Sequence, residues 1–257
     1  MYNNIFDSHA HYDSKKFEKD VDTLLPHMHE NGVHGIMSAA SSIKSAKSAA
    51  ALAAKYDFVW CSAGIHPHDA EGATPQMESE LAKLAAYEKC MAIGEIGLDY
   101  HYDFSPREIQ KDVFSRQMAL AKELDMPVII HDREAHADTL EIIKKHLPKG
   151  VIHCYSGSAE SAAVLLNLGF YIGFTGVITF NNTRRALEVL AVIPLDRLLI
   201  ETDCPYMAPV PLRGKRCDSS MLPHTAEVMA KIKNVSVQEI FDMTSKNAQD
   251  LFGIKVK

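Results

Sequence analysis

Two histidines one residue apart, His9 and His11, stand near the start of the chain. On an extended strand, residues i and i+2 point to the same side, so this pair aims two imidazoles at one place, as a metal pincer does. Four more nitrogen or oxygen donors follow at long intervals, each in an apolar run: Glu95 in AIGEIGLD, His131 after PVII, His153 in VIHCYSG and Asp203 in LLIETDCP. A carboxylate buried in a strand is costly unless paired or bound to a cation, and the glycines around Glu95 are expected to leave room for ions or substrate. Six donors without a thiolate suit Zn, Mn, Mg or another divalent ion. One ion rarely needs six protein ligands and an open position as well. Two ions sharing a carboxylate do, and the two oxygens of Glu95 can bridge them. Such a centre lowers the pKa of water and neutralises a developing anionic phosphate. Asp203 is expected to bind one ion and to orient or deprotonate the attacking water.

Other residues are assigned to substrate. His66, in GIHPH, is expected to contact a phosphate oxygen, and Arg133, two residues past His131, to hold a second phosphate. Tyr155 either stacks on a base or sugar or, the reading slightly favoured, packs as an aromatic lining the barrel rim. Arg213, with Lys215 and Arg216, forms the one concentrated basic cluster and is expected near the same phosphates. Glu201 lies a pleat step from Asp203 and has no assigned role beyond a structural pair. Cys154 and Cys204 read as packing residues on the opposite side of their strands.

These residues need a scaffold that gathers distant parts of the chain. Apolar runs at 4–11, 33–40, 58–67, 90–99, 126–132, 150–157, 170–178 and 197–205 read as eight strands. Helical patterns fall between them at 19–31, 44–55, 76–87, 106–124, 134–147, 159–168 and 183–193, and two more follow at about 223–233 and 236–252. Alternation of this kind predicts parallel strands with crossover helices. Eight such units favour a closed (β/α)8 TIM barrel with an extra C-terminal helix over an open doubly wound sheet. The whole of 1–257 is expected to be one domain. Every donor lies at the C-terminal end of its strand, where the loops of a barrel converge. Ser105-Pro106 reads as a cap before a first-turn proline, and Gly32, Gly150 and Gly169 as glycines ending helices.

Composition narrows the class. Among 257 residues, 47% are hydrophobic and 23% charged, which fits a folded globular chain rather than disorder. The net charge of −6 argues against broad electrostatic affinity for duplex DNA, though metal ions can supply positive charge locally. The N-terminus does not read as a signal peptide, no run is long enough for a membrane helix, and no obligate protein partner is evident. Five scattered cysteines without a CxxC pair fit reduced thiols and a cytoplasmic protein.

Eight motifs in order carry a resemblance: FDSHAH at the start, AGIHPH at 63–68, GEIGLDY at 94–100, PVIIHDRE at 127–134, HCYSG at 153–157, ETDCPY at 201–206, RGKR at 213–216 and NAQDLFG at 247–253. The chain resembles the TatD family of metal-dependent deoxyribonucleases, among the amidohydrolase-like metal barrels. The resemblance implies that His9, His11, Glu95 and Asp203 bind one metal, and that Glu95, His131 and His153 bind the second. It implies a phosphodiesterase acting on DNA, often from the 3′ end, with Mg or a related ion; a single strand or a 3′ end is the expected substrate. After RGKR the family usually continues Asn-Glu-Pro, whereas this chain has Cys217, Asp218 and Ser219. Two rivals stand beside this: a hydrolase of another ester or amide, and a non-catalytic metal-binding scaffold. Amide-cleaving relatives often bridge their metals with a carboxylated lysine, and Glu95 in that position favours the phosphodiesterase.

Overall fold

The computed structural model describes residues 2–256. Its elements alternate: β1 (Ile5–Ala10), α1 (Val21–Glu30), β2 (Val33–Ser38), α2 (Ile43–Lys55), β3 (Val59–Ala63), α3 (Met77–Ala85), β4 (Cys90–Asp99) and α4 (Arg107–Glu123). Then come β5 (Val128–Arg133), α5 (His136–His146), β6 (Gly150–Ile152), α6 (Ala159–Asn167), β7 (Tyr171–Phe174), α7 (Arg184–Val192) and β8 (Leu198–Ile200). Two helices, α8 (Leu222–Lys233) and α9 (Val237–Phe252), complete the chain. The eight strands pair in sequence order, each parallel to the next. Past the end of β8, the Asp203 amide donates to the His9 carbonyl (2.9 Å) and the His11 amide to the Cys204 carbonyl (2.8 Å), which draws β8 against β1. The architecture is a TIM barrel, and its seam passes through three of the predicted donors. Among the described residues no helix is long and apolar enough to cross a membrane.

Strand periodicity sets the interior. Phe6, Met37, Trp60, Ala92, Ile129, Val151, Tyr171 and Leu199, one from each strand, form one buried apolar layer. The C-terminal end of α9 closes it from below with Ala248, Leu251 and Phe252. That helix begins with a reciprocal cap between Ser236 and Glu239, which satisfies two amides of its first turn. Two residues further along three of the strand paths, the same inward side carries His131, His153 and Glu201 in place of Ile129, Val151 and Leu199.

Several local expectations need correction. Strands β6 and β8 have three residues each, so His153 and Asp203 lie just beyond their ends, not within them. Strand β3 ends at Ala63, and His66 opens a short 3-10 turn at Pro67–Gly72. Ser105 does not cap α4: its hydroxyl donates to the His68 carbonyl (3.0 Å) and accepts from the Glu71 amide (3.1 Å). Gly32 and Gly169 do take positive φ after their helices, but Gly150 begins β6, and Leu147 supplies the left-handed turn after α5.

Candidate metal centre

Glu95 reaches the barrel mouth through a bulge. The β4–β5 register slips between Gly94 and Ile96, and the Glu95 amide leaves the ladder to donate to the Ala40 carbonyl (2.7 Å). A bulge of this kind re-aims one side chain. The flanking glycines do not make room for ions, as the sequence suggested. They let β4 press against β5: at Gly97, with φ of +143°, a Cβ would lie 1.9 Å from the His131 carbonyl oxygen.

Five imidazoles surround the Glu95 carboxylate. Its Oε2 lies 3.4 Å from His9 Nε2 and 3.6 Å from His11 Nε2. Its Oε1 lies 3.0 Å from His131 Nδ1, 3.2 Å from His153 Nε2 and 3.6 Å from His66 Nε2. Asp203 Oδ1 completes the first side, 3.3 Å from His11 Nε2 and 3.8 Å from His9 Nε2. Asp203 itself is held in the left-handed region, φ +58°, by the seam bond to His9. A non-glycine residue there carries local strain, which concentrates at working sites.

Hydrogen bonds to the outer nitrogens sort the histidines. His11 Nδ1 sits 2.8 Å from the Ala39 carbonyl, so it carries the proton and leaves a lone pair on Nε2. His131 Nε2 sits 3.1 Å from Asp99 Oδ2, leaving Nδ1 as the lone-pair atom facing Glu95. His153 Nδ1 lies 3.2 Å from Glu201 Oε1, within ion-pair distance but without hydrogen-bond geometry, and its Nε2 faces the centre. His66 is the reverse: its Nδ1 accepts from the His68 amide (3.2 Å), so its Nε2 carries the proton. With the rings neutral, the inward nitrogens of His11 and His131 and the carboxylates of Glu95 and Asp203 have no hydrogen to share, and His9 Nε2 meets His11 Nε2 at 3.2 Å. That arrangement fits cations. The candidate ligand groups are His9 with Glu95 and His153, His9 with His11 and Asp203, and His66 with Glu95 and His131. The proton on His66 Nε2 makes it a poorer ligand than the others.

The charges are strongly coupled. Burial would raise the Glu95 carboxyl, but His66, His153 and His9 hold it well below the ordinary range. Burial likewise opposes charge on His11, yet Asp203 and Glu95 carry it up to about 9. Against the same burial, Glu95 and Glu201 raise His153, and Asp99 and Glu95 raise His131. Burial and neighbouring imidazoles push His9 and His66 down. Positive charge is therefore favoured around Glu95 and Asp203, and divalent cations can supply it in place of protons.

The chain matches the family model described as TatD related DNase over residues 6–253. It belongs to the TatD family. It is 40% identical to the metal-dependent hydrolase YabD of Bacillus subtilis, covering 97% of this chain and 99% of that protein. It is 36% identical to the protein named 3′-5′ ssDNA/RNA exonuclease TatD of Klebsiella pneumoniae, covering 98% of this chain and 99% of that one. The crystal structure of YJJV, a TatD homologue from Escherichia coli, superposes with a TM-score of 0.92 at 30% identity, covering 99% of this chain and 100% of that one. The protein is an enzyme, a metal-dependent hydrolase.

Around the donors of this TatD hydrolase, the substrate residues fare unequally. Arg133 ends β5 at the mouth with its guanidinium 5.2 Å from the Tyr102 ring, and no acid lies within ion-pair distance among the described residues. Arg213 is exposed and packs over Phe180 at 4.1 Å. Arg216 leaves the basic cluster: it forms a two-pronged bond to Asp20 (2.8 and 2.6 Å) and donates to the Lys16 carbonyl, a structural tie. Tyr155 is 6% exposed and donates to the Ser158 carbonyl (2.8 Å), so it offers no face for stacking. Two further carboxylates stand behind the donors. Glu201 is fully buried in space that Gly173 leaves open, where a Cβ would meet its Oε2 at 2.5 Å, and it faces both His153 and the Cys154 amide. Asp99 joins His131 to His68, whose Nε2 lies 2.9 Å away. In the sequence, a second acid in GLD and in ETD was the available signal.

Proposed function

We propose that the protein is a two-metal phosphodiesterase that shortens single-stranded DNA from its 3′ end, with the whole chain acting as one catalytic domain in the cytoplasm. The observation that carries the binuclear reading is the division of Glu95. Its Oε2 faces His9 and His11 while its Oε1 faces His131 and His153, so one carboxylate serves two donor sets. His9, His11, Glu95 and Asp203 would hold one ion, and Glu95, His131 and His153 the other. Mg, Mn or Zn bound there would neutralise a phosphodiester and make water a stronger nucleophile. Asp203 would accept the proton of the attacking water. His66 would donate its Nε2 proton in a hydrogen bond to a phosphate oxygen, and Arg133 and Arg213 would hold flanking phosphates. The single-strand and 3′-end preferences draw support from the relative named a 3′-5′ ssDNA/RNA exonuclease.

A digest of single-stranded DNA labelled at its 5′ end, with Mg, with Mn and with chelator, tests this. We expect a descending ladder of products that chelator abolishes. Intact DNA beside metal-stimulated hydrolysis of a lactone or amide would sink the nuclease reading and leave the metal centre standing.

A further inference from the structure

The most exposed large apolar side chain among the described residues, Phe104 at 64%, stands close to the candidate centre. Tyr102, 48% exposed, stacks on it with ring centroids 5.3 Å apart and planes 24° from parallel. Both rings meet the edge or face of His68, at 4.8 Å for Phe104 and 5.5 Å for Tyr102. His68 lies 4.3 Å from His66 and 6.2 Å from His131 between ring centroids. The pair is therefore separated from His66 and His131 by a single imidazole, that of His68.

The loop that carries these rings is braced. Asp99 accepts the His101 and Tyr102 amides at 3.0 and 2.9 Å. The buried Gln110 side chain ties both ends of the loop, accepting from the Asp99 amide (2.8 Å) and donating to the carbonyls of Asp99 (3.2 Å) and Ser105 (2.8 Å). Arg107 clamps Asp103 with Nε and Nη2. Two stacked rings thus face solvent on a fixed support. Two of the nearby acids are already engaged, Asp103 by Arg107 and Glu134 by His101 (2.8 Å). Arg133, with no acidic partner among the described residues, lies over Tyr102. Rings beside a free guanidinium match a nucleotide, whose base is a flat apolar face and whose phosphate is an anion.

We propose that Tyr102 and Phe104 form a stacking platform for one unpaired nucleobase next to the scissile phosphate, with Arg133 on that nucleotide's phosphate. The proposal rests on the nuclease reading and adds the source of its preference for single strands. A paired base is already stacked in its duplex and cannot lie on the platform.

The test replaces each ring by alanine (Phe104→Ala, Tyr102→Ala) and retains it in Phe104→Trp. Oligonucleotides carry either a normal or an abasic nucleotide at each of the last three positions, and a base-free phosphodiester reports the basal chemistry. For the wild-type enzyme, we expect the abasic substitution at one position to raise KM about tenfold, as loss of one stacked base does. The alanine variants should show that higher KM on the normal strand, no further rise on the abasic one, and unchanged turnover of the base-free ester; Phe104→Trp should restore the wild-type value. Equal KM values for wild type and both alanine variants on the normal strand would overturn the platform. A second readout is independent of cleavage. With calcium and 2-aminopurine in the strand, wild type should quench the fluorophore and Phe104→Ala should not. If the wild-type enzyme cleaves no nucleic acid, the nuclease reading fails, and quenching decides the platform alone: equal quenching or none by the two proteins refutes it.

Discussion

The two ends of the barrel interior are built from the same eight strands and do opposite things. At the N-terminal end, Phe6, Trp60, Ile129, Val151, Tyr171 and Leu199 fill the space with apolar surface, and α9 seals it. At the C-terminal end the inward positions carry His131, His153 and Glu201, beside Glu95 and the seam residues His9, His11 and Asp203. Burying carbon there would be cheaper than burying seven ionisable groups that must satisfy one another. The difference teaches where stability and reactivity are divided: one end holds the barrel together, and the other keeps cation-binding groups dry and close.

The sharpest way to break that division is at Asp203. Asp203→Ala should lower metal-dependent hydrolysis by about 10²–10⁴-fold, the range for loss of a positioned base. Glu95→Ala should fall at least as far, since both donor sets lose an oxygen. Circular dichroism of either variant should still show the folded barrel. Near-normal turnover in either would dissolve the contrast between the two ends.

Phe6→Ala is the mirror experiment. Phe6 is 1% exposed and stacks on Trp60 at 5.8 Å. Its truncation leaves a cavity in the apolar layer and should reduce unfolding free energy by about 3–5 kcal/mol, measured by urea titration. Activity per folded molecule should not change. A large drop in kcat with intact stability would show that the lower layer also tunes the site.

A finer probe is Glu201, which touches the donor set only through His153. Glu201→Gln keeps the volume beside Gly173 but removes the charge that raises His153. Metal affinity should fall about 10–100-fold, as for other carboxylates behind a ligating histidine. Titration with Mn by calorimetry would measure it, and an unchanged affinity would reduce Glu201 to a barrel-packing residue.

What could be read from the sequence follows the same division. The barrel was legible because eight apolar runs alternate with helical periodicity, and the donors because each interrupts or ends such a run. His153 and Asp203 stood out for that reason even though their strands proved only three residues long. The glycines at 94 and 97 misled, because their purpose is close approach to β5, which only the folded register reveals. Arg216 misled because pairing depends on loop paths: its partner Asp20 is 196 residues away. Phe104 drew no notice because exposure of a phenylalanine is not written in its neighbours.

The smallest effect concerns pH, and its sign separates the empty from the occupied centre. In the metal-free protein His11 titrates at about 9, above the ordinary histidine value of 6.5, and His131 and His153 are raised as well. Protons on these rings favour the folded state, so their contribution is complete below pH 6.5 and fades as the pH rises to about 9. His9 and His66, which are lowered, act in the opposite sense but below pH 6.5. With chelator present, the unfolding midpoint should therefore fall between pH 6.5 and 9. Saturating Mn needs the imidazoles neutral, so the decline should vanish or reverse over the same interval. Parallel curves with and without Mn would mean that cations and protons do not compete for these rings, and that the upper end of the barrel is a proton-bridged polar core like any other.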